Sequence, residues 1–324
     1  MSNFVKHSLK PSIALVGCGD WGKNIARTLA GLEALGAIVD PTSTGLEKEL
    51  RVPDLTFDQC LKDPSISAVV IATPTPTHFD LAHRALTAGK HILVEKPLAT
   101  ETRQVRTLLK LAKKNHRILM VGHLLIYHPA FQKIAEWVDS GKIGDVLQIQ
   151  TYRMNLGKVH LHESVTWDLG PHDLSMVFAL MKGSKLKKFS AHGKAHITPH
   201  HDTNVIFLEF EKGISAQVNL SRLHPWKEQR LVVIGTKGVA VFDDTKPWSE
   251  KATFYKSHAV LAEGKVTLTK DDRGEPFPLE PAEPLRLELQ HFIQCIEKNQ
   301  DPLTSAESAL EAISLLNKIE KFHS

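Results

Sequence analysis

Residues 13–22 read Ile-Ala-Leu-Val-Gly-Cys-Gly-Asp-Trp-Gly. Four apolar residues, Ile13 to Val16, run straight into a Gly-x-Gly-x-x-Gly spacing at Gly17, Gly19 and Gly22. The apolar periodicity over residues 21–32 predicts a helix. A strand that passes through such a loop into a helix gives each glycine a separate task. Gly17 permits the tight turn, Gly19 lets the backbone approach a pyrophosphate, and Gly22 lets helix and strand pack closely. The helix start at Asp20 and Trp21 then offers free N–H groups and a positive dipole end to phosphates. A glycine-rich turn of purely structural use is the plainer alternative.

Working outward, the first third alternates short apolar runs with helical patterns. Strands are expected at 12–16, 37–39, 68–72, 92–94 and 118–121, with a short one near Leu55. Helices are expected at 21–32, 58–62, 77–88 and 100–115. This alternation predicts an α/β fold, a doubly wound parallel sheet covered on both faces. The near-continuous apolar strands agree, because such a sheet is buried on both sides. After Gly122 the pattern changes. A helix at 129–140 precedes period-two stretches at 146–154, 205–210, 214–221, 230–234 and 239–242. They predict an α+β domain with an open, mostly antiparallel sheet. The expected division is 1–122 and 123–324, with a helical tail over 284–324, broken near Asp301-Pro302, that packs back toward the first domain.

The carboxyl edge of a parallel sheet is where ligands bind. Asp40 ends the second strand, eighteen positions after Gly22, where a carboxylate accepts hydrogen bonds from ribose hydroxyls. Pro41-Thr42-Ser43 bring no cation for a 2′-phosphate. NAD is therefore expected over NADP. The loop Thr73-Pro74-Thr75-Pro76-Thr77-His78 lies on the same edge, and His78 reads either as a cofactor contact or as a helix-start residue. So does Glu95-Lys96-Pro97, at the end of the 92–94 strand, with Pro97 fixing the local backbone. A lysine there points into the crevice, and partial burial would lower its pKa toward the range useful for proton transfer. A second cluster, Trp167-Asp168-Leu169-Gly170-Pro171-His172, sets an acid and an imidazole four apart. Asp168 there would orient His172 and raise its basicity. The spacing equally fits an ordinary helix start capped by an aspartate.

Composition excludes several classes. The chain has 324 residues, enough for two domains, and 42% of them are hydrophobic, enough for a sizeable core. Its net charge of +4 comes from scattered lysines and arginines, which argues against nucleic acid as partner and suits an anionic small ligand. Three cysteines, distant and odd in number, argue against a disulfide framework and point to a reducing cytoplasm. No apolar run has the length of a signal core or a membrane span. The 18 histidines, with His192, His196, His200 and His201 loosely grouped, show no zinc spacing, so no metal is expected.

Taken together, Gly17-x-Gly-x-x-Gly22, Ala72-Thr-Pro-Thr75, Glu95-Lys96-Pro97 and Asp168-x-Gly-x-His172 resemble the glucose–fructose oxidoreductase / inositol dehydrogenase / MocA family over nearly the whole length. The resemblance implies an N-terminal Rossmann domain, an open sheet domain for substrate, NAD or NADP as cofactor, and a catalytic pair in Lys96 and His172. It also implies cofactor contacts along Gly17–Gly22, Asp40, Thr73, Pro74, Thr75, His78, Glu95 and Lys96, and a dimer or tetramer formed through the open sheet. Members that resemble inositol dehydrogenase carry an aspartate three residues after the histidine, where this chain has Ser175. A narrower likeness, over Tyr152-Arg153-Met154-Asn155-Leu156-Gly157-Lys158, Glu163, Trp167-Asp168, His172, Arg222 and Arg230, is to bacterial sugar-nucleotide 3-dehydrogenases. It implies substrate contacts at Arg153, Asn155, Lys158, Trp167, Asp168, His172, Arg222 and Arg230, and oxidation at C3 of UDP-N-acetylglucosamine or its uronic acid. A dehydrogenase of a free sugar and a non-catalytic NAD-binding regulator are the two other readings.

Overall fold

Strand β1 (Ile13–Val16) and strand β3 (Ala68–Ile71) are buried at every position. A strand with no polar face needs cover on both sides. The computed structural model, which describes residues 10–43, 45–157, 161 and 163–323, supplies it. In chain order, helix α1 (Asp20–Gly31), β2 (Leu35–Val39), two short helices α2 (Leu46–Glu49) and α3 (Phe57–Lys62), and β3 follow β1. Then come α4 (His78–Thr87), β4 (His91–Glu95), α5 (Thr102–Asn115) and β5 (Leu119–Gly122). The five strands pair in parallel in the order β2-β1-β3-β4-β5, a doubly wound sheet. The strand expected near Leu55 is a single bridge between Ile38 and Asp54. Pro53 accepts from the Ile38 N–H but has no N–H to return, so the ladder cannot extend.

By its contacts the chain divides into two units. The first runs to Leu124 and includes Pro284–Ile313; the second holds Leu125–Glu283 and the residues from Ser314 onward.

In the second unit, α6 (Pro129–Asp139) precedes the long strand β6 (Val146–Leu156), the turn of helix α7 (Val165–Asp168) and α8 (Gly170–Leu180). Strands β7 (Leu186–Lys194), β8 (Thr203–Phe210), β9 (Ser215–Ser221), β10 (Leu223–Gly235), β11 (Val239–Asp243) and β12 (Ala252–Tyr255) come after them. A hairpin of β13 (His258–Ala262) and β14 (Lys265–Thr269) forms its own two-stranded sheet, and β15 (Glu275–Phe277) closes the series. The eight-stranded sheet has the order β15-β12-β11-β10-β6-β9-β8-β7. Its pairs are antiparallel except β6 with β9. Alternation sends Ile149, Val218, Leu220 and Leu231 to the face covered by helices, where Leu220 meets Gly170 of α8. Gln148, Gln150, Tyr152, Gln217 and Asn219 lie half-buried on the other face. Strand β7 escapes a reading by apolar alternation because it is an edge strand carrying Lys187 and Lys188, charges that discourage further pairing.

The tail is two helices, α9 (Pro284–Lys298) and α10 (Ala306–His323), separated around Asp301-Pro302. Leu285, Leu289, Phe292 and Cys295 of α9 are buried in the first unit, where α9 packs on α1. Between the helices, the Thr304 carbonyl accepts from the Val121 N–H at 2.9 Å beside β5. Ile313, Leu316 and Ile319 of α10 are core residues. No helix among the described residues is long and apolar enough to cross a membrane.

Candidate functional site

The turn after β1 is shaped by its glycines. Gly17 has φ +91°, and a Cβ on it would stand 2.7 Å from the Ala72 carbonyl oxygen. A Cβ on Gly22 would lie 2.2 Å from the Gly17 carbonyl oxygen, so the start of α1 sits directly on the loop. A Cβ on Gly19 would meet nothing within 4 Å. The backbone at Gly19 is therefore open to a close ligand, as a pyrophosphate requires. Beside it lies a cleft of about 990 Å³, lined among others by Gly17, Asp20, Trp21, Asp40, Thr73 and Pro74. Asp40 accepts from the Cys18 N–H through Oδ2 at 2.7 Å and from the Thr42 N–H through Oδ1 at 2.9 Å. These bonds hold the carboxylate at the lip of the cleft. Among the described lining residues there is no lysine or arginine, while Asp20, Asp40 and Asp54 are all present. Ribose hydroxyls suit this wall; a 2′-phosphate does not.

Two expected cofactor contacts lie elsewhere. Thr75 sits in the turn before α4 and is not among the cleft residues. His78 is 1% exposed, and both ring nitrogens meet backbone carbonyls, so the ring has nothing to offer a ligand in the cleft. The reading of His78 as a cofactor contact is corrected on this ground.

Lys96 follows β4, and the Lys96–Pro97 bond is cis. Glu95, half-buried, accepts from the Trp21 indole N–H at 2.6 Å and from the Lys96 backbone N–H at 3.3 Å. Its neighbour across the ladder is Gly122, where a Cβ would stand 3.1 Å from Glu95 Oε2. Two groups absent from the sequence reading belong to this cluster. Glu288 of α9 is 1% exposed, and its Oε1 has no hydrogen-bond partner among the described residues. Burial, with the neighbouring Glu95 charge, raises its pKa well above the usual carboxyl value. Burial also raises Glu95, against the Trp21 bond and the Lys96 charge. His123, just past β5, is buried with neither ring nitrogen hydrogen-bonded among the described residues. Burial, helped by the Lys96 charge, lowers its pKa to about 4. The lysine charge thus acts on Glu95 and on the buried His123, while Glu288 feels the Glu95 charge. A signal for Glu288 does exist in the sequence: it occupies an apolar-face position of α9, between Leu285 and Leu289.

The second cluster lies in the second unit. Ser164 caps α7 and Pro171 stands in the first turn of α8. Pro171 has no N–H to donate, and the helix breaks at Leu169. Asp168 thus ends one helical turn and His172 lies in the first turn of the next helix. Asp168 Oδ2 accepts from Arg222 Nη2 at 2.9 Å, and Arg222 Nη1 donates to the Glu163 carbonyl at 2.9 Å. Arg222 is 1% exposed. Arg153 Nε donates to Asp173 Oδ2 at 2.5 Å, both side chains buried beneath α8. The expectation that Arg153 and Arg222 are cations offered to a substrate is corrected: each is committed to an aspartate of its own unit. Arg230 lies over the Tyr152 ring at 4.8 Å and pairs with Glu228 at 3.3 Å. Trp167 and Asn155 are half-buried, the latter near the end of β6. Lys158 falls outside the described residues. Ser175 Oγ donates to the His172 carbonyl at 2.7 Å, so the position beside the histidine is taken up with backbone.

Residues 12–123 match the model of an oxidoreductase family with an NAD-binding Rossmann fold, and residues 131–241 match the GFO/IDH/MocA C-terminal domain. The chain is 27% identical to scyllo-inositol 2-dehydrogenase (NAD(+)) of Bacillus subtilis, over 90% of this chain and 88% of that protein. It is 28% identical to UDP-N-acetylglucosamine 3-dehydrogenase of Acidithiobacillus ferrooxidans, over 64% of this chain and 66% of that protein. The solved structure of UDP-N-acetylglucosamine 3-dehydrogenase GnnA from the same organism superposes with a TM-score of 0.83, at 24% identity, over 95% of this chain and 96% of that one.

The buried acid gives a test. A carboxyl whose pKa is raised by folding costs nothing below its unfolded value, near 4.5, destabilises progressively as pH rises from there to the folded value, and costs a constant amount above it. Glu288→Gln removes that cost. In urea denaturation the variant is expected to match the parent near pH 4 and to exceed it at pH 8, by about 1.4 kcal/mol for each tenfold rise in proton affinity. Equal stability at both pH values would show that Glu288 carries no raised pKa.

Proposed function

We propose, on the footing that the chain belongs to the GFO/IDH/MocA family of NAD-binding oxidoreductases, that it oxidises C3 of a UDP-N-acetylglucosamine-type nucleotide sugar. NAD is its cofactor, and the protein is a dehydrogenase acting on CH–OH groups. The observation that carries the site assignment is Lys96, set at the end of β4 beside Glu95 and His123, on the sheet edge that also holds Gly17 to Gly22 and Asp40.

Bound NAD supplies the hydride acceptor. The glycine loop and the start of α1 hold the pyrophosphate, and Asp40 takes the ribose hydroxyls. The proton chemistry belongs to Lys96 and His172. One takes the proton of the substrate hydroxyl as the carbinol C–H leaves as hydride; the other donates a hydrogen bond to the developing alkoxide. His172 suits the base, since an imidazole titrates near neutral pH. Asp168, tied to Arg222, anchors the turn that carries it.

The choice of a nucleotide sugar draws on the likeness to the UDP-N-acetylglucosamine 3-dehydrogenase and on Ser175, which replaces the carboxylate expected of inositol dehydrogenases. A second reading, a free sugar or cyclitol, is favoured by the internal pairing of Arg153 and Arg222, which removes two cations from a diphosphate. The similarity to scyllo-inositol 2-dehydrogenase points the same way. Self-association through the half-buried face of the eight-stranded sheet completes the proposal.

Thermal denaturation with NADH and, in parallel, UDP, UDP-N-acetylglucosamine, its uronic acid and myo-inositol separates the two readings. A ligand that binds only the folded state raises the melting temperature. A rise with a UDP-sugar is expected; a rise with myo-inositol alone would overturn the nucleotide-sugar reading. Lys96→Ala is expected to keep NADH affinity and lose roughly a hundred- to ten-thousand-fold in turnover. Unchanged turnover would remove Lys96 from the mechanism. In sedimentation velocity a dimer or tetramer is expected, and a monomer at micromolar concentration would dismiss self-association.

A further inference from the structure

His78 opens α4 with its ring turned into the protein. Nδ1 lies 2.8 Å from the Pro97 carbonyl oxygen and Nε2 lies 2.8 Å from the Thr73 carbonyl oxygen. A backbone carbonyl only accepts. A neutral imidazole has one N–H, so one nitrogen would turn a lone pair toward an oxygen at hydrogen-bond distance, which is repulsive. The geometry is satisfied when both nitrogens donate.

The two carbonyls belong to different loops. Thr73 follows β3 and lines the cofactor cleft. Pro97 follows Lys96 at the end of β4. The Thr73 and Thr77 hydroxyls lie 2.6 Å apart, and Thr77 donates to the Pro74 carbonyl at 2.8 Å, which folds the first loop on itself. The ring then ties that folded loop to the lysine loop.

We infer that His78 is a positioning residue: a buried ring that donates from both nitrogens and holds the Lys96–Pro97 loop against the cofactor loop at Thr73. The inference rests on the reading of Lys96 as catalytic only for its consequence in turnover; the staple itself concerns two loops of one unit.

The staple has a pH dependence. Burial lowers the ring's pKa from its usual value, the bonds to Pro97 and Thr73 oppose this, and the charge of Lys96 adds to the lowering. Lys96 is the titratable group that acts on the ring from the β4 loop; the β3 loop presents the Thr73 carbonyl, and the β4 loop also presents the Pro97 carbonyl. Below its pKa the ring donates twice. Above it, one end opens.

The test uses the full chain labelled with ¹⁵N-histidine, with His78→Gln to assign the resonances and His78→Asn should the first variant fail to fold. In a titration downward from pH 8, where one ring nitrogen of His78 is expected to carry a proton, the second is expected to gain one below the usual imidazole range. NAD⁺ affinity, read by calorimetry, is expected to be about tenfold weaker in His78→Gln at a pH where the parent ring carries both protons, the scale of one lost charge-assisted hydrogen bond. The difference should shrink at pH 8. Amide hydrogen exchange is expected to quicken over residues 73–78 and 95–99 and nowhere else. A ring that gains no second proton while the protein is still folded, or exchange in both loops unchanged by the substitution, overturns the staple. Full turnover in Lys96→Ala, with both nitrogens protonated, overturns the role of Lys96 and leaves the staple standing.

Discussion

Val16, Ile71 and Val94 stand side by side because β1, β3 and β4 run in one direction and in register. None of these strand ends has a polar face to turn toward water, so antiparallel pairing with one wet side is closed to them. Parallel pairing in turn delivers all three carboxyl ends to one edge. The loop after each strand then falls on that edge: Gly17 after the first, Thr73 after the second, Lys96 after the third. The cofactor cleft and the lysine are therefore neighbours by the direction of the strands, before any side chain in either has been chosen. The two loops that His78 joins owe their proximity to the same constraint.

The first unit was legible in the sequence to within a few residues, because each element there has a strong local signature. The glycine spacing after Ile13–Val16, the helical period of α4 and α5, and the apolar run of β4 depend on residues close in the chain. The second unit was legible as an antiparallel sheet but incompletely. Strand β7 carries lysines on its edge, and the β13–β14 hairpin is exposed, with Leu261 72% accessible, so neither shows the alternation that burial imposes. Of the site, Gly17, Gly19, Asp40 and the Glu95-Lys96-Pro97 run were visible as motifs. The motifs could not show which of their polar atoms the fold uses for itself.

Buried charge accounts for most of those differences. Arg153 finds Asp173 twenty residues on, and Arg222 finds Asp168 fifty-four residues back. Such pairs form because a guanidinium taken out of water needs a partner, whatever the sequence distance. An arginine in a substrate-binding run reads as a free cation until its partner is known. Glu288 is the opposite case, an acid whose nearest charged neighbour is another acid. Burial and the Glu95 charge raise its proton affinity, so this acid holds its proton more readily than its sequence suggests.

The first unit is closed by helix α9, and this sets an order of events as the chain is made. Residues to Leu124 leave the ribosome well before Pro284, with 284 − 124 = 160 residues to be added in between. At roughly 5–20 residues per second that is on the order of 8 to 32 s. Through that interval α1 lacks the helix that packs on it, and the core lacks Phe292 and Leu289. The nucleotide-binding sheet is thus translated well before the helix that completes its unit, and for that interval it must hold together without it.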